Sequence, residues 1–270
     1  MTKLTEEQLA EFNQNGFIIL ESAFNAVEVA QMREEADFIS DLMIKSSIAN
    51  GRQSRRLDIK TQENGNHIIR KIQPINDLSL FLAQVSADAR LLDPMRHIMG
   101  DEPILMEEKL NYKQPLDHRI EGLIVSPLVD AFPIHSDWAY YKAQNYPQNI
   151  LSSAISMDDC TADSGPIRVW PGSHKEHREH ERMDFGLQVE EGLIDFDGGE
   201  AVLAPAGSVI IFHALLVHNS RPNTSGNPRR LMIYSHYPEA ADMGHDVRNG
   251  PGRLRESPWE IEYLRNQLAG

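Results

Sequence analysis

From about residue 103 onward the chain is a succession of short apolar runs, each broken off by Pro, Gly or Asn, and no other feature constrains the fold as much. The runs are "PILMEEKLNYK", "GLIVSPLVD", "NILSSAISMDD", "GPIRVWPGS", "AVLAPAGSVIIFHALLVHNS" and "RRLMIYSHYP". Several short strands with turn signals at regular intervals are the pattern of a β-sandwich or barrel.

The first hundred residues have a different texture. Thr5 and Gln8 stand at the spacing of a capping box, ahead of an apolar stripe that includes Leu9 and Phe12. "NQNG" at 13–16 ends that helix, and "FIIL" at 17–20 reads as a short buried strand. From residue 26 to about 48, Val29, Met32, Ala36, Ile39 and Met43 fall on one helical face. Residues 50–67 are polar and predict a loop or loose hairpin, with Arg52, Arg55 and Arg56 as a solvated basic cluster. Helical periodicity resumes at 78–100 and stops at Gly100, a suitable C-cap, and the tail "SPWEIEYLRNQLAG" predicts a terminal helix. With no repeat and no linker, the 270 residues read as one domain: helical support mainly over 1–100, a β core over about 103–240 and a C-terminal helix.

Composition excludes several classes. A net charge of -14 would repel nucleic acid and anionic membrane surfaces. No apolar run approaches the roughly 18 residues of a membrane helix. The lone Cys160 excludes an intramolecular disulfide, and with no signal-like stretch at the start the expected location is cytoplasmic.

"PIHSDWAYY" at 133–141 places His135 and Asp137 two positions apart in an expected strand, where alternate side chains share a face. Such a pair is weak evidence until a third ligand joins it. His218 in "GSVIIFHALLVHNSRPN" lies in apolar surroundings, where an unpaired imidazole is expensive, and His213 in the same stretch is its rival. Two histidines and one carboxylate form the set that binds Fe(II) while leaving positions open, whereas the sequence holds neither a Cys cluster nor the HExxH helix of many zinc sites. Arg229 and Arg230 open the next run, and one of them must point inward, which an apolar strand tolerates when the guanidinium meets an anion.

These segments, taken in order, carry a resemblance over almost the whole chain. "LTEEQLAEFNQNGFIILESAF", "KLNYKQP", "HSDW", "DSGPIRVWPGSHKEH" and "HNSRPNTSGNPRRLMIYSHYP" resemble the phytanoyl-CoA hydroxylase-like branch of the Fe(II)/2-oxoglutarate-dependent oxygenases, which includes the ectoine hydroxylases. The resemblance implies a double-stranded β-helix, the cupin-like jelly roll, buttressed by N-terminal helices. It implies His135, Asp137 and His218 as iron ligands, and Lys113, Ser220 and Arg229 as residues that bind 2-oxoglutarate. The family's carboxylate-binding Arg lies eleven residues after the distal His, at Arg229, although counting back from the strand-end "HY" reaches Arg230.

The implied cofactors are Fe(II), 2-oxoglutarate and O2, and the implied reaction is hydroxylation of a C–H bond with release of succinate and CO2. Halogenases of the family replace the carboxylate ligand with a small residue, so Asp137 points away from halogenation. The expected partner is a small molecule, a natural product or amino acid derivative; the sequence does not address oligomeric state. A cupin-like metal-binding or sensor domain without turnover, and a zinc hydrolase, stand as the alternatives. His174, His177 and His180 lie among charged neighbours and read as solvated, and Trp138, Tyr140 and Tyr141 as packing or substrate contacts.

Overall fold

The computed structural model describes residues 3–123, 125, 132–144, 146–184, 186–241 and 259–269. The elements are α1 (Glu6–Asn15), β1 (Phe17–Leu20), α2 (Ala26–Ala49), β2 (Leu57–Thr61), β3 (His67–Ile72), α3 (Leu80–Val85), α4 (Ala89–Met99), β4 (Pro103–Pro115), β5 (Phe132–His135), the short α5 (Trp138–Tyr141), β6 (Leu151–Ser156), β7 (Ile167–Val169), β8 (His180–Met183), β9 (Gly186–Val189), β10 (Glu200–Ala201), β11 (Val209–His213), β12 (His218–Ser220), β13 (Arg230–Pro238) and α6 (Trp259–Ala269). A seven-stranded antiparallel sheet runs β1-β11-β6-β13-β4-β3-β2, and a four-stranded sheet runs β10-β7-β12-β5. The β8–β9 hairpin forms a separate two-stranded sheet, which meets the end of β5 through the Ser136 amide on His180. The architecture is the mainly β jelly roll, with α2, α3 and α4 backing the larger sheet.

The apolar runs are unbroken because the central strands are buried on both faces. Along β13, Met232 and Tyr234 join α2 residues Met32, Ala36, Ile39 and Met43 in the core under the helices. Leu231 and Ile233 point the other way, to meet Phe212, Ile167 and Val169 between the sheets. Two buried tyrosines lock helix to sheet: the Tyr112 hydroxyl donates to the Ala36 carbonyl at 2.7 Å and that of Tyr234 to the Leu82 carbonyl at 2.5 Å.

The expected capping box of α1 is present, with the Gln8 amide donating to Thr5 Oγ1 at 3.1 Å and the Thr5 amide to Gln8 Oε1 at 2.9 Å. Gly16 ends the helix at φ 84°, and a Cβ there would stand 2.4 Å from the His174 ring. Only glycine lets the first turn of chain close onto the "WPGSH" segment.

Two expectations need correction. The helical stretch 78–100 is two helices, because Asp88 caps a new one by accepting from the Arg90 amide at 2.8 Å. The loose hairpin allowed for at 50–67 is present, with β2 pairing antiparallel to β3, but its basic cluster is not simply solvated. Arg56 is 3% exposed and forks onto Asp77 at 2.6 Å through both terminal nitrogens, while Arg52 stacks on the Trp259 ring of α6. Ser54 completes the clamp by donating to Glu260 Oε1 at 2.5 Å. Of the run 122–130, residues 124 and 126–130 lie outside the described residues.

Candidate metal and cosubstrate site

β5 and β12 are neighbours in the smaller sheet, and their register sets His135 directly opposite His218. The two rings stand 4.4 Å apart. His135 Nδ1 donates to the Pro133 carbonyl at 2.7 Å and His218 Nδ1 to the Leu216 carbonyl at 2.9 Å. A carbonyl can only accept, so both hydrogens sit on Nδ1 and both Nε2 lone pairs are available. Asp137 Oδ1 faces them at 3.7 and 3.8 Å, beyond a hydrogen bond but at the separation of ligands sharing one ion. The ligand atoms of all three residues lie within 4.8 Å of one another, the one such group of metal-competent side chains among the described residues.

The strand-alternation argument for H-x-D is corrected by this geometry. His135 ends β5, and Asp137 lies past it, in the helical conformation that opens α5 (φ -58°, ψ -36°). What aims the carboxylate is the turn. The Trp138 amide donates to the Ala214 carbonyl at 3.0 Å, and the Ser136 amide donates to His180 Nε2 at 3.0 Å. His180 is thus no solvated residue of a charged segment; it holds the link between the two ligands, with its own Nδ1 donating to the Arg178 carbonyl at 2.7 Å. His174 and His177 also pack inward, on Phe12 and Trp138.

Electrostatics suits a cation. Burial would push the Asp137 carboxyl up, but the Lys109 ammonium acting together with His135 and His218 holds the group well below the usual carboxylate range. Burial, with His135 as neighbour, lowers His218 to about 4, which keeps its imidazole neutral at pH 7. The rival His213 points elsewhere: its Nδ1 accepts from the Leu215 amide at 3.1 Å and its ring meets His174. Cys160 is buried, and desolvation pushes its thiol up, away from the thiolate a nucleophile needs.

The triad opens onto a cavity of about 390 Å³ between the two sheets. Arg229 lines it, 1% exposed, and donates to the Gly165 carbonyl at 3.0 Å. Arg230 turns to the opposite face, where it forks onto Asp158 at 2.9 Å and reaches Asp37 at 2.7 Å. Strand alternation therefore separates the two candidates. Ser220 lines the cavity on β12, whereas Lys113 stands behind it, its ammonium donating to the Arg221 carbonyl. Gly165, at φ 69°, makes that corner possible, since a Cβ there would lie 2.6 Å from the Arg221 carbonyl oxygen.

Tyr140 and Tyr141 also line the cavity, and Trp138 packs outside it on Tyr146 and His177. Sequence reasoning missed Glu107, Lys109 and Asn111, which form one wall. Their signal was the two-residue period of "EEKLN" in a strand buried on both sides.

A family model described as phytanoyl-CoA dioxygenase (PhyH) matches residues 12–231. The ectoine dioxygenase of Sphingopyxis alaskensis is 28% identical, over 86% of this chain and 76% of its own length. The crystal structure of EctD from S. alaskensis with 2-oxoglutarate and 5-hydroxyectoine superposes with a TM-score of 0.65 at 26% identity, covering 87% of this chain and 76% of that one. The same protein with bound Fe gives 0.63 at 26% identity, covering 87% and 77%. The match takes in β5, β12 and every residue that lines the cavity except Ile233, and this chain belongs to the phytanoyl-CoA dioxygenase family.

Proposed function

We propose that His135, Asp137 and His218 hold the Fe(II) of a 2-oxoglutarate-dependent dioxygenase that hydroxylates a C–H bond of a small molecule. The observation that carries this reading is the convergence of two Nε2 atoms and one carboxylate oxygen, all within 4.8 Å, at the floor of a cavity that also contains a buried arginine. When bound, Fe(II), 2-oxoglutarate and O2 supply the oxidising chemistry, with succinate and CO2 as co-products.

The chain's residues bind, orient and exclude water. Two imidazoles and a carboxylate would hold Fe(II) while leaving coordination positions for further ligands. Arg229 presents a planar fork to the far carboxylate of 2-oxoglutarate, and Ser220 adds a hydroxyl to the same wall. Lys113, by holding the Arg221 carbonyl, fixes the segment that follows Ser220. His180 positions the ligand turn through the Ser136 amide. Asp137 supplies the carboxylate that hydroxylation requires and halogenation dispenses with.

We take residues 1–270 as a single oxygenase domain acting on a natural product or amino acid derivative. None of the described helices is long and apolar enough to cross a membrane. The one cysteine is a free thiol, which fits a reducing compartment, and we place the enzyme in the cytoplasm. The net charge of -14 makes nucleic acid an unsuitable partner.

The test is anaerobic loading of the protein with Fe(II) and then 2-oxoglutarate, followed by succinate release on admitting O2. Wild-type protein develops the visible charge-transfer absorption of an iron-bound keto acid and forms succinate. Asp137→Ala loses both by more than about a hundredfold, beyond what loss of a supporting residue around a metal costs. An Asp137→Ala protein that binds iron and turns over 2-oxoglutarate like wild type would sink the assignment.

A further inference from the structure

We infer that the cavity wall where Lys71 stands beside Arg70 and Lys109 receives an anionic group of the substrate, so that the enzyme selects a small molecule bearing a carboxylate or comparable oxyanion. The inference rests on the oxygenase reading above and adds to it the charge of the substrate.

The wall owes its composition to a bulge. β2 pairs Asp58 with Lys71 but Ile59 with Ile69, which leaves Arg70 as an extra residue in β3. A bulge of this kind turns successive side chains toward the same side, and Arg70 and Lys71 both line the cavity, with Asp58 beside them. On the adjacent β4, Glu107 and Lys109 face the same space.

The charges there are unequally satisfied. Lys109 pairs with Glu107 at 2.9 Å. Glu107 also accepts from the Tyr141 hydroxyl at 2.8 Å and the Gln73 amide at 3.2 Å, so its oxygens are engaged and poorly placed to take a substrate cation. Arg70 lies 3.6 Å from Asp58 and over the Phe132 ring at 4.5 Å. The Lys71 ammonium, by contrast, has no hydrogen bond or ion pair among the described residues although it lines the same cavity. Burial, reinforced by like-charged Lys109, holds it below the ordinary lysine range. An anion would relieve that cost.

Counting confirms the surplus. The cavity is lined by the cations Arg70, Lys71, Lys109 and Arg229 and by the carboxylates Asp58, Glu107 and Asp137. With Asp137 committed to iron and Arg229 to 2-oxoglutarate, three cations face two carboxylates, and one positive charge remains for the substrate. A volume of about 390 Å³ shared with 2-oxoglutarate suits a small molecule.

The experiment is calorimetric titration of the anaerobic Fe(II)–2-oxoglutarate-loaded protein with a fixed panel of small amino and hydroxy acids, each paired with its own amide. Loading is verified first by the charge-transfer absorption, and its failure would count against the oxygenase reading, separately from the charge preference. The expected result is at least one acid bound about tenfold or more tighter than its amide, the worth of one charge-assisted hydrogen bond. That preference should shrink to less than about threefold in Lys71→Gln and return in Lys71→Arg, with thermal unfolding of both variants checked against wild type. If no acid exceeds its amide in the loaded wild type, or if the preference survives intact in Lys71→Gln, the inference is overturned.

Discussion

The two faces of the seven-stranded sheet are made by the same strands and could hardly differ more. On β4, Leu110 and Tyr112 pack under the helices, while Glu107, Lys109 and Asn111 line the cavity one residue away. At the start of β13 the same contrast separates Arg229, in the cavity, from Arg230, in an ion-pair cluster on the helix side. The helix face is apolar over most of its area, with the Arg230 cluster at one end, and carries stability. The other gathers charges that desolvation makes expensive, and such an arrangement persists where ligands repay the cost.

Substitutions on the two faces should separate binding from stability, and the arginine pair gives the largest effect. Arg229→Ala should raise the KM for 2-oxoglutarate by about a hundredfold or more, because a buried charge-assisted fork is lost. Arg230→Ala should leave that KM within about threefold and lower stability by about 2 kcal/mol. This is less than a fully buried pair is worth, because Asp37 is 59% exposed. Steady-state kinetics with chemical denaturation reads both, and a reversed pattern would break the comparison.

Deep on the helix face, Ile39→Ala should cost about 2–4 kcal/mol, the usual result of emptying a side chain that is 0% exposed, with both KM values unchanged. A shift in KM instead would mean that the helices shape the cavity.

The smallest effect belongs to His213, at the end of β11 and away from the cavity. Burial holds its imidazole at about 4, below the ordinary 6.5. As pH falls the unfolded chain takes up the proton first, so stability is intact above about 6.5 and is lost between about 6.5 and 4. His213→Gln should flatten that loss by up to about 1.4 kcal/mol per pH unit, measured by urea unfolding across the range. An unchanged pH profile would show that another group governs it.

The apolar runs made the β core legible, because strands buried on both faces need continuous Val, Ile and Leu. The grouping of His135, Asp137 and His218 was legible for a partly mistaken reason. Asp137 reaches the site by a turn tied to Ala214 and His180, which no strand period predicts. The break between α3 and α4 was missed because Asp88 and Ser86 read as ordinary polar helix positions until a cap is formed. The wall of Arg70 and Lys71 was out of reach, since a bulge is a property of two strands in register and neither sequence alone announces it.

β1 has a consequence for timing. Its residues 17–20 pair with 212–209, more than two thirds of the chain away in sequence. During synthesis the first strand must wait until β11 has emerged, by which time β6 is available to hold β11 from its other side. Closing so long a loop is slow, and the jelly roll should complete its larger sheet late. Gly16 and His174 meet at the same seam, so the contact that seals the first helix against the barrel is among the last to form.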